Sequence, residues 1–232
     1  MEVRQEEHIA GGGKIRSFIL GFNDGLISVF TLLVGVAAAT LKQGNEIVIL
    51  TGMAALVSGA ISMGLGEYIS SKSEAQYIRN ELKRERAEIK LFPKEEEEEV
   101  RQILRKWGLK GDNLEESVKT ITSDKDSWID FLTKSELGLE EPENPLIGGG
   151  ITFVAFILGS LITLFPYFIP IGLVSLIISS IISFIMLFIV GGLKTRITGE
   201  SFIKSGLEMV LVGFIAFVIS YFVGLWLEPS GV

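Results

Sequence analysis

Apolar residues in this chain come in long blocks rather than in a helical or strand alternation. Five blocks, at about 17–41, 47–70, 146–168, 170–193 and 203–227, each reach the roughly 20 residues that carry a helix across about 30 Å of hydrocarbon. Between the second and third lies a polar stretch, 72–144, in which the pattern turns helical. The run EYISSKSEAQYIRNELKRERAEIKLF has no Pro or Gly, so the second block is expected to continue as one helix to about Phe92. Pro93 stops that helix and suits the first turn of the next, Lys94–Trp107, which Gly108 ends. A third helix is expected from about Asp112 and a fourth in SWIDFLTKSELGLE, with Pro142 and Pro145 leading into the third apolar block. The expected fold class is all-α: five transmembrane helices, with a helical domain inserted between helices 2 and 3. The expected segments are a tail at 1–16, spans at 17–71, the insert at 72–144, spans at 145–227 and a tail at 228–232.

Composition supports this reading. Hydrophobic residues make up 48% of 232 and the mean hydropathy is +0.45, too apolar for an ordinary soluble domain of this length. The polar start MEVRQEEHIAGGGKIR and the length of the block after it argue against a cleaved signal peptide. Cys is absent, which excludes disulfides and thiolate sites. The lone histidine, His8, reads as a solvated tail residue.

Charge then sets an orientation. Arg4, Lys14 and Arg16 precede the first span, and Lys194, Arg196 and Lys204 lie between the fourth and fifth. The loop after the first span has only Lys42, and the PYFIP turn has no charge. By the positive-inside rule the N-terminus and 72–144 are expected in the cytoplasm and the C-terminus on the far side. The insert holds 19 Asp and Glu against 14 Lys and Arg, a balance that suits cations and opposes nucleic acid.

Candidate chemistry begins with Asp24, the one charge in the first span. A carboxylate at that depth costs roughly 3 kcal/mol on insertion scales, so it is expected to face a polar path or a partner. Met63 and Glu67 are four apart on the second span and share a face. With the two spans antiparallel, Met63 is expected near the level of Asp24, with Glu67 one turn nearer the cytoplasm. Gly21 and Gly25 bracket Asp24 in a spacing that lets helices approach closely, whether within one subunit or between two. In the insert, Glu81, Glu85 and Glu88 stack on one helix face, and Glu96 and Glu99 share another. They read either as solvated surface paired with Lys83, Arg84, Arg86 and Arg101, or as a carboxylate cluster for a hard or borderline divalent cation.

The runs GFNDGLISVFTLLVGVAAA, SGAISMGLGEYISSKSEAQ, RNELKRERAEIKLFPKEEEEEVRQIL, WIDFLTKSELGLE and GESFIKSGLEMVLVGFIAFVISYFVGL resemble the vacuolar iron transporter family, in order and spacing, from about Lys14 to Leu227. The resemblance implies a homodimer of five-span subunits that exports Fe²⁺, and often Mn²⁺, from the cytoplasm in exchange for protons. It implies no enzyme activity and no permanently bound cofactor. Asp24 and Met63 match the family's intramembrane ion site, while Glu67 falls near the entrance of the path. Glu85, Glu88, Glu96, Glu99 and Glu136 match its metal-collecting glutamates. One departure stands out: Leu132 and Thr133 occupy positions where members of the family often carry paired methionines, which weakens any preference for Fe²⁺ over harder cations there.

Three other readings fit parts of the pattern. A ferritin-like di-iron oxidase would need two Glu-x-x-His motifs, against a single tail histidine. A metal-binding sensor or scaffold would bind without transport. A passive divalent-cation channel would move ions without proton coupling. The host membrane is expected to be a plasma membrane in a prokaryote and vacuole-like in a eukaryote.

Overall fold

The computed structural model describes residues 12–41, 43–135, 144–169, 172–195 and 200–227. Among these residues the secondary structure is helical, without strands: α1 (Gly12–Ala39), α2 (Glu46–Leu91), α3 (Pro93–Lys106), α4 (Asp112–Thr122), α5 (Lys125–Ser135), α6 (Pro145–Leu164) followed by a 3₁₀ turn (Phe165–Phe168), α7 (Leu173–Leu193) and α8 (Phe202–Trp226). Five of them, α1, α2, α6 with its 3₁₀ turn, α7 and α8, are long and apolar enough to cross a membrane. The absence of Pro and Gly between Glu67 and Phe92 lets α2 run unbroken for 46 residues. Pro93 sits in the first turn of α3, where its missing N–H is no loss. The helix ends before Gly108, whose φ of 97° suits glycine.

The chain divides into two compact units, one of residues 1–69 and 145–232 and one of residues 70–144, with α2 contributing to both. In the first unit α1 is the central element and packs on α6, α7 and α8. Leu26, Phe30, Leu33 and Val34 are fully buried along it. Phe30 meets Phe184 of α7 edge-on at 5.6 Å and stacks on Phe217 of α8 at 6.0 Å. The α1–α6 contact is backbone to backbone: a Cβ at Gly25 would collide with the Phe156 carbonyl, and one at Gly159 with the Phe22 carbonyl. Gly21 approaches Thr152 in the same way. The glycines bracketing Asp24 therefore serve helix packing inside one chain, the shorter-range of the two roles their spacing allows.

Asn45, just before α2, ties the far end of this unit together. Its Nδ2 donates to the carbonyls of Tyr167 (2.9 Å) and Ile169 (3.1 Å) and faces Ser175 Oγ at 3.0 Å. The second unit has its own core, in which Ile89 of α2 packs with Val100, Ile103 and Leu104 of α3, Leu114 and Val118 of α4, and Trp128, Ile129 and Leu132 of α5.

Candidate metal path and carboxylate cluster

Asp24 lies half-buried on α1, and Ser28, one turn on, donates its hydroxyl to Asp24 Oδ1 at 3.0 Å. Ser28 is exposed while Asp24 is half-buried. Ser17, two turns before Asp24, is buried, and its Oγ donates to Glu67 Oε1 at 3.0 Å. Its carbonyl accepts from Thr152 Oγ1 of α6 at 3.3 Å. Gly148 leaves the space beside Glu67 open: a Cβ there would stand 3.5 Å from Oε1. Glu67 is therefore held between α1 and α6.

This contact fixes the register of α1 against α2. With Ser17 opposite Glu67 and the helices antiparallel, Met63 falls near Gly21, about 4.5 Å short of Asp24 along the axis. Met63 is half-buried and packs against the apolar core of the unit. Met63 therefore lies within about one helical turn of Asp24 along the spans, with Glu67 a further turn on. Ser17 is the residue that sequence reasoning missed. Its position seven before Asp24, on the same helix face, was the available signal.

In the second unit the structure sorts the glutamates. Glu85 and Glu96 are buried, at 3% and 6% exposure, while Glu88 and Glu99 are half-buried. Within the run Glu95–Glu99, Arg101 gathers the outward-facing members: its guanidinium reaches Glu97 at 2.9 Å and Glu98 at 2.5 Å, and Glu115 of α4 at 3.0 Å. Hydrogen bonds to Glu115 and Glu98 hold Arg101 above its ordinary value, and the hydrogen bond from Arg101 pulls Glu115 below the usual carboxylate range. Arg84 donates from Nε to Glu88 at 3.2 Å and lies 3.5 Å from Glu81. Glu81, Glu88, Glu97 and Glu98 thus have the surface pairing expected of solvated carboxylates, whereas Glu85 and Glu96 point into the unit.

Leu132 is fully buried in the core, and beside it Thr133 is buried with its Oγ1 lacking a hydrogen-bond partner among the described residues. No three Asp, Glu or His side chains among the described residues converge closely enough to hold a metal ion. Glu136 lies outside the described residues.

Five membrane-length helices, an intramembrane carboxylate and an acidic helical unit continuous with one of the spans define a polytopic membrane protein built around acidic groups. The comparisons make this specific. The model of the VIT family matches residues 15–225. The vacuolar iron transporter of Centaurea cyanus is 38% identical over 216 residues, covering 91% of this chain and 87% of that protein. Vacuolar iron transporter 1 of Arabidopsis thaliana is 36% identical over 214 residues, covering 91% and 85%. The vacuolar iron transporter of Plasmodium falciparum is 30% identical over 237 residues, covering 97% and 86%. The chain belongs to the VIT family.

Proposed function

We propose that this protein transports Fe²⁺, with Mn²⁺ as a second cargo, out of the cytoplasm by exchange for protons. The observation that carries the reading is Asp24: a carboxylate within a membrane span, in a chain whose relatives bear the name of vacuolar iron transporters. A carboxylate there holds a cation or a proton but not both, which is the elementary requirement of exchange. Met63 adds a soft thioether suited to Fe²⁺, and Glu67 adds oxygen nearer the cytoplasmic end. As access alternates between the two sides, the site trades one occupant for the other.

The second unit acts as the collector. Glu85, Glu88, Glu96, Glu99 and Glu136 supply oxygen donors, with the two buried carboxylates, Glu85 and Glu96, at its centre. Thr133 offers a hydroxyl where a thioether would favour Fe²⁺, so the collector discriminates less between Fe²⁺ and Mn²⁺.

The working form is a homodimer. Ser28 on α1 and Ser58, Ser62 and Gly66 on α2 are exposed within membrane spans, and small and hydroxyl-bearing residues favour a helix neighbour over lipid. A second copy on this face would place Asp24 at a shared interface. The N-terminus and residues 72–144 lie on the cytoplasmic side of a vacuole-like or plasma membrane. The test is Fe²⁺ uptake into proteoliposomes by Asp24→Asn, which keeps size and polarity but carries no charge. Loss of uptake in a folded variant supports the reading, and uptake at the parent rate refutes the role of Asp24.

A further inference from the structure

Several hydroxyls within the membrane-length helices donate to the carbonyl one turn back in their own helix, as serine and threonine often do. Thr31 does so to Ile27 at 2.9 Å, Thr40 to Val36 at 2.8 Å, Thr51 to Ile47 at 2.8 Å and Ser180 to Leu176 at 2.7 Å. Ser28 turns its proton to a side chain instead: its Oγ donates to Asp24 Oδ1 at 3.0 Å. Ser17 also serves a carboxylate, that of Glu67, but Ser17 is buried whereas Ser28 is exposed.

The two oxygens stand at a separation that a metal ion can use. Neighbouring oxygens around an octahedral cation at about 2.1 Å lie about 3.0 Å apart, √2 times the bond length. Asp24 and Ser28 are four residues apart, so one face of α1 carries both. A hydroxyl that donates its proton keeps two lone pairs on its oxygen, and the exposure of Ser28 leaves them open to approach. Rotation about the C–O bond turns the proton from Oδ1 toward the Asp24 carbonyl, one turn back, where helical hydroxyls often donate. A cation can then bridge the two oxygens without displacing the helix.

We propose that Ser28 is a further ligand of the transported cation, binding it together with Asp24, and that its oxygen favours Mn²⁺ relative to Fe²⁺. The inference rests on the reading above of Asp24 as the ion site. Met63 brings a thioether, a soft donor that favours Fe²⁺, whereas oxygen donors suit Mn²⁺. Asp24 with Met63 alone leans toward Fe²⁺, and the added hydroxyl moves the balance toward Mn²⁺. Being uncharged, Ser28 changes which cation is favoured and not the charge exchanged.

The chain has no cysteine, so Ser28→Cys places a single thiol at this position. With Cd²⁺ added to the full chain carrying Ser28→Cys in nanodiscs, a thiolate-to-metal charge-transfer band is expected in the ultraviolet, and Asp24→Asn in the same chain should abolish it. Absence of the band, or a band of equal strength with Asp24→Asn, overturns the proposal. In proteoliposomes, Ser28→Ala is expected to raise the KM for Mn²⁺ about tenfold, the lower end of what loss of a supporting group costs at a metal site, and the KM for Fe²⁺ by a smaller factor. Ser28→Thr, which restores a hydroxyl, is expected to recover the Mn²⁺ affinity. Equal rises for the two ions, or no rise, overturn the proposal while leaving Asp24 as the ion site. Fe²⁺ uptake at the parent rate by Asp24→Asn overturns that reading and this inference with it.

Discussion

Ser17 Oγ donates to Glu67 Oε1 at 3.0 Å, joining the start of α1 to α2 one turn from Met63. A hydrogen bond to a charged group contributes about 1.5–3 kcal/mol when it is well made. Ser17→Ala is therefore expected to lower thermal stability in detergent by an amount in that range, and Ser17→Thr to retain most of it. Because the contact also orients Glu67, Ser17→Ala should raise the KM for Fe²⁺ more than it lowers the maximum rate. A parent-like melting curve and KM would show that the contact does not matter.

Gly25 is expected to tolerate no side chain. A Cβ there would overlap the Phe156 carbonyl, backbone against backbone, so α1 and α6 would have to separate. Gly25→Ala should cost about 1–3 kcal/mol, as overpacking does elsewhere. Gly150→Ala is the control, since nothing lies within 4 Å of its Cβ position. Comparing the two melting temperatures checks the claim: only the Gly25 variant should fall.

Glu96→Gln combined with Glu99→Gln should weaken metal collection without touching the membrane path. The expected result is a KM for Fe²⁺ raised about tenfold, equivalent to roughly 1.4 kcal/mol, with the maximum rate nearly kept. A fall in maximum rate at constant KM would place these residues in the transport step instead.

Acid should loosen the second unit. Asp124 accepts from the backbone N–H of Ser127 at 2.9 Å and from its hydroxyl at 2.8 Å, which together hold its carboxyl below the usual range. Arg101 does the same to Glu115. Groups depressed in the folded state stabilise it fully above their unfolded values, near 4, and lose that contribution as pH falls through the lower folded values. Hydrogen exchange across α4 and α5 should therefore quicken, after correction for intrinsic rates, below about pH 4. Asp124→Ala should show part of that loosening already at neutral pH.

Much of this architecture is readable from the chain alone, for a physical reason. Membrane spans announce themselves by run length, and the 46-residue α2 by the lack of any helix breaker after Gly66. Pro93 and Gly108 mark the limits of α3 within a residue or two. The site is only partly readable. Asp24 is conspicuous because a charge in an apolar block needs a cause, but its level relative to Met63 depends on helix register, which the Ser17–Glu67 contact sets. Likewise, the run Glu95–Glu99 appears uniform in sequence. Only the packing of α3 against α2 and α4 turns Glu96 inward and leaves Glu97 and Glu98 to Arg101. The serines of α7 show a four-residue spacing, yet nothing in that spacing names α6 as the helix they meet.

Proton exchange is the central claim, and simultaneous recording of Fe²⁺ uptake and internal pH in proteoliposomes tests it most directly. With the vesicle interior acidic, uptake should accelerate and the interior should become more alkaline in step with the iron entering. Equal uptake with and without the gradient, with no change of internal pH, would contradict exchange and identify a passive path.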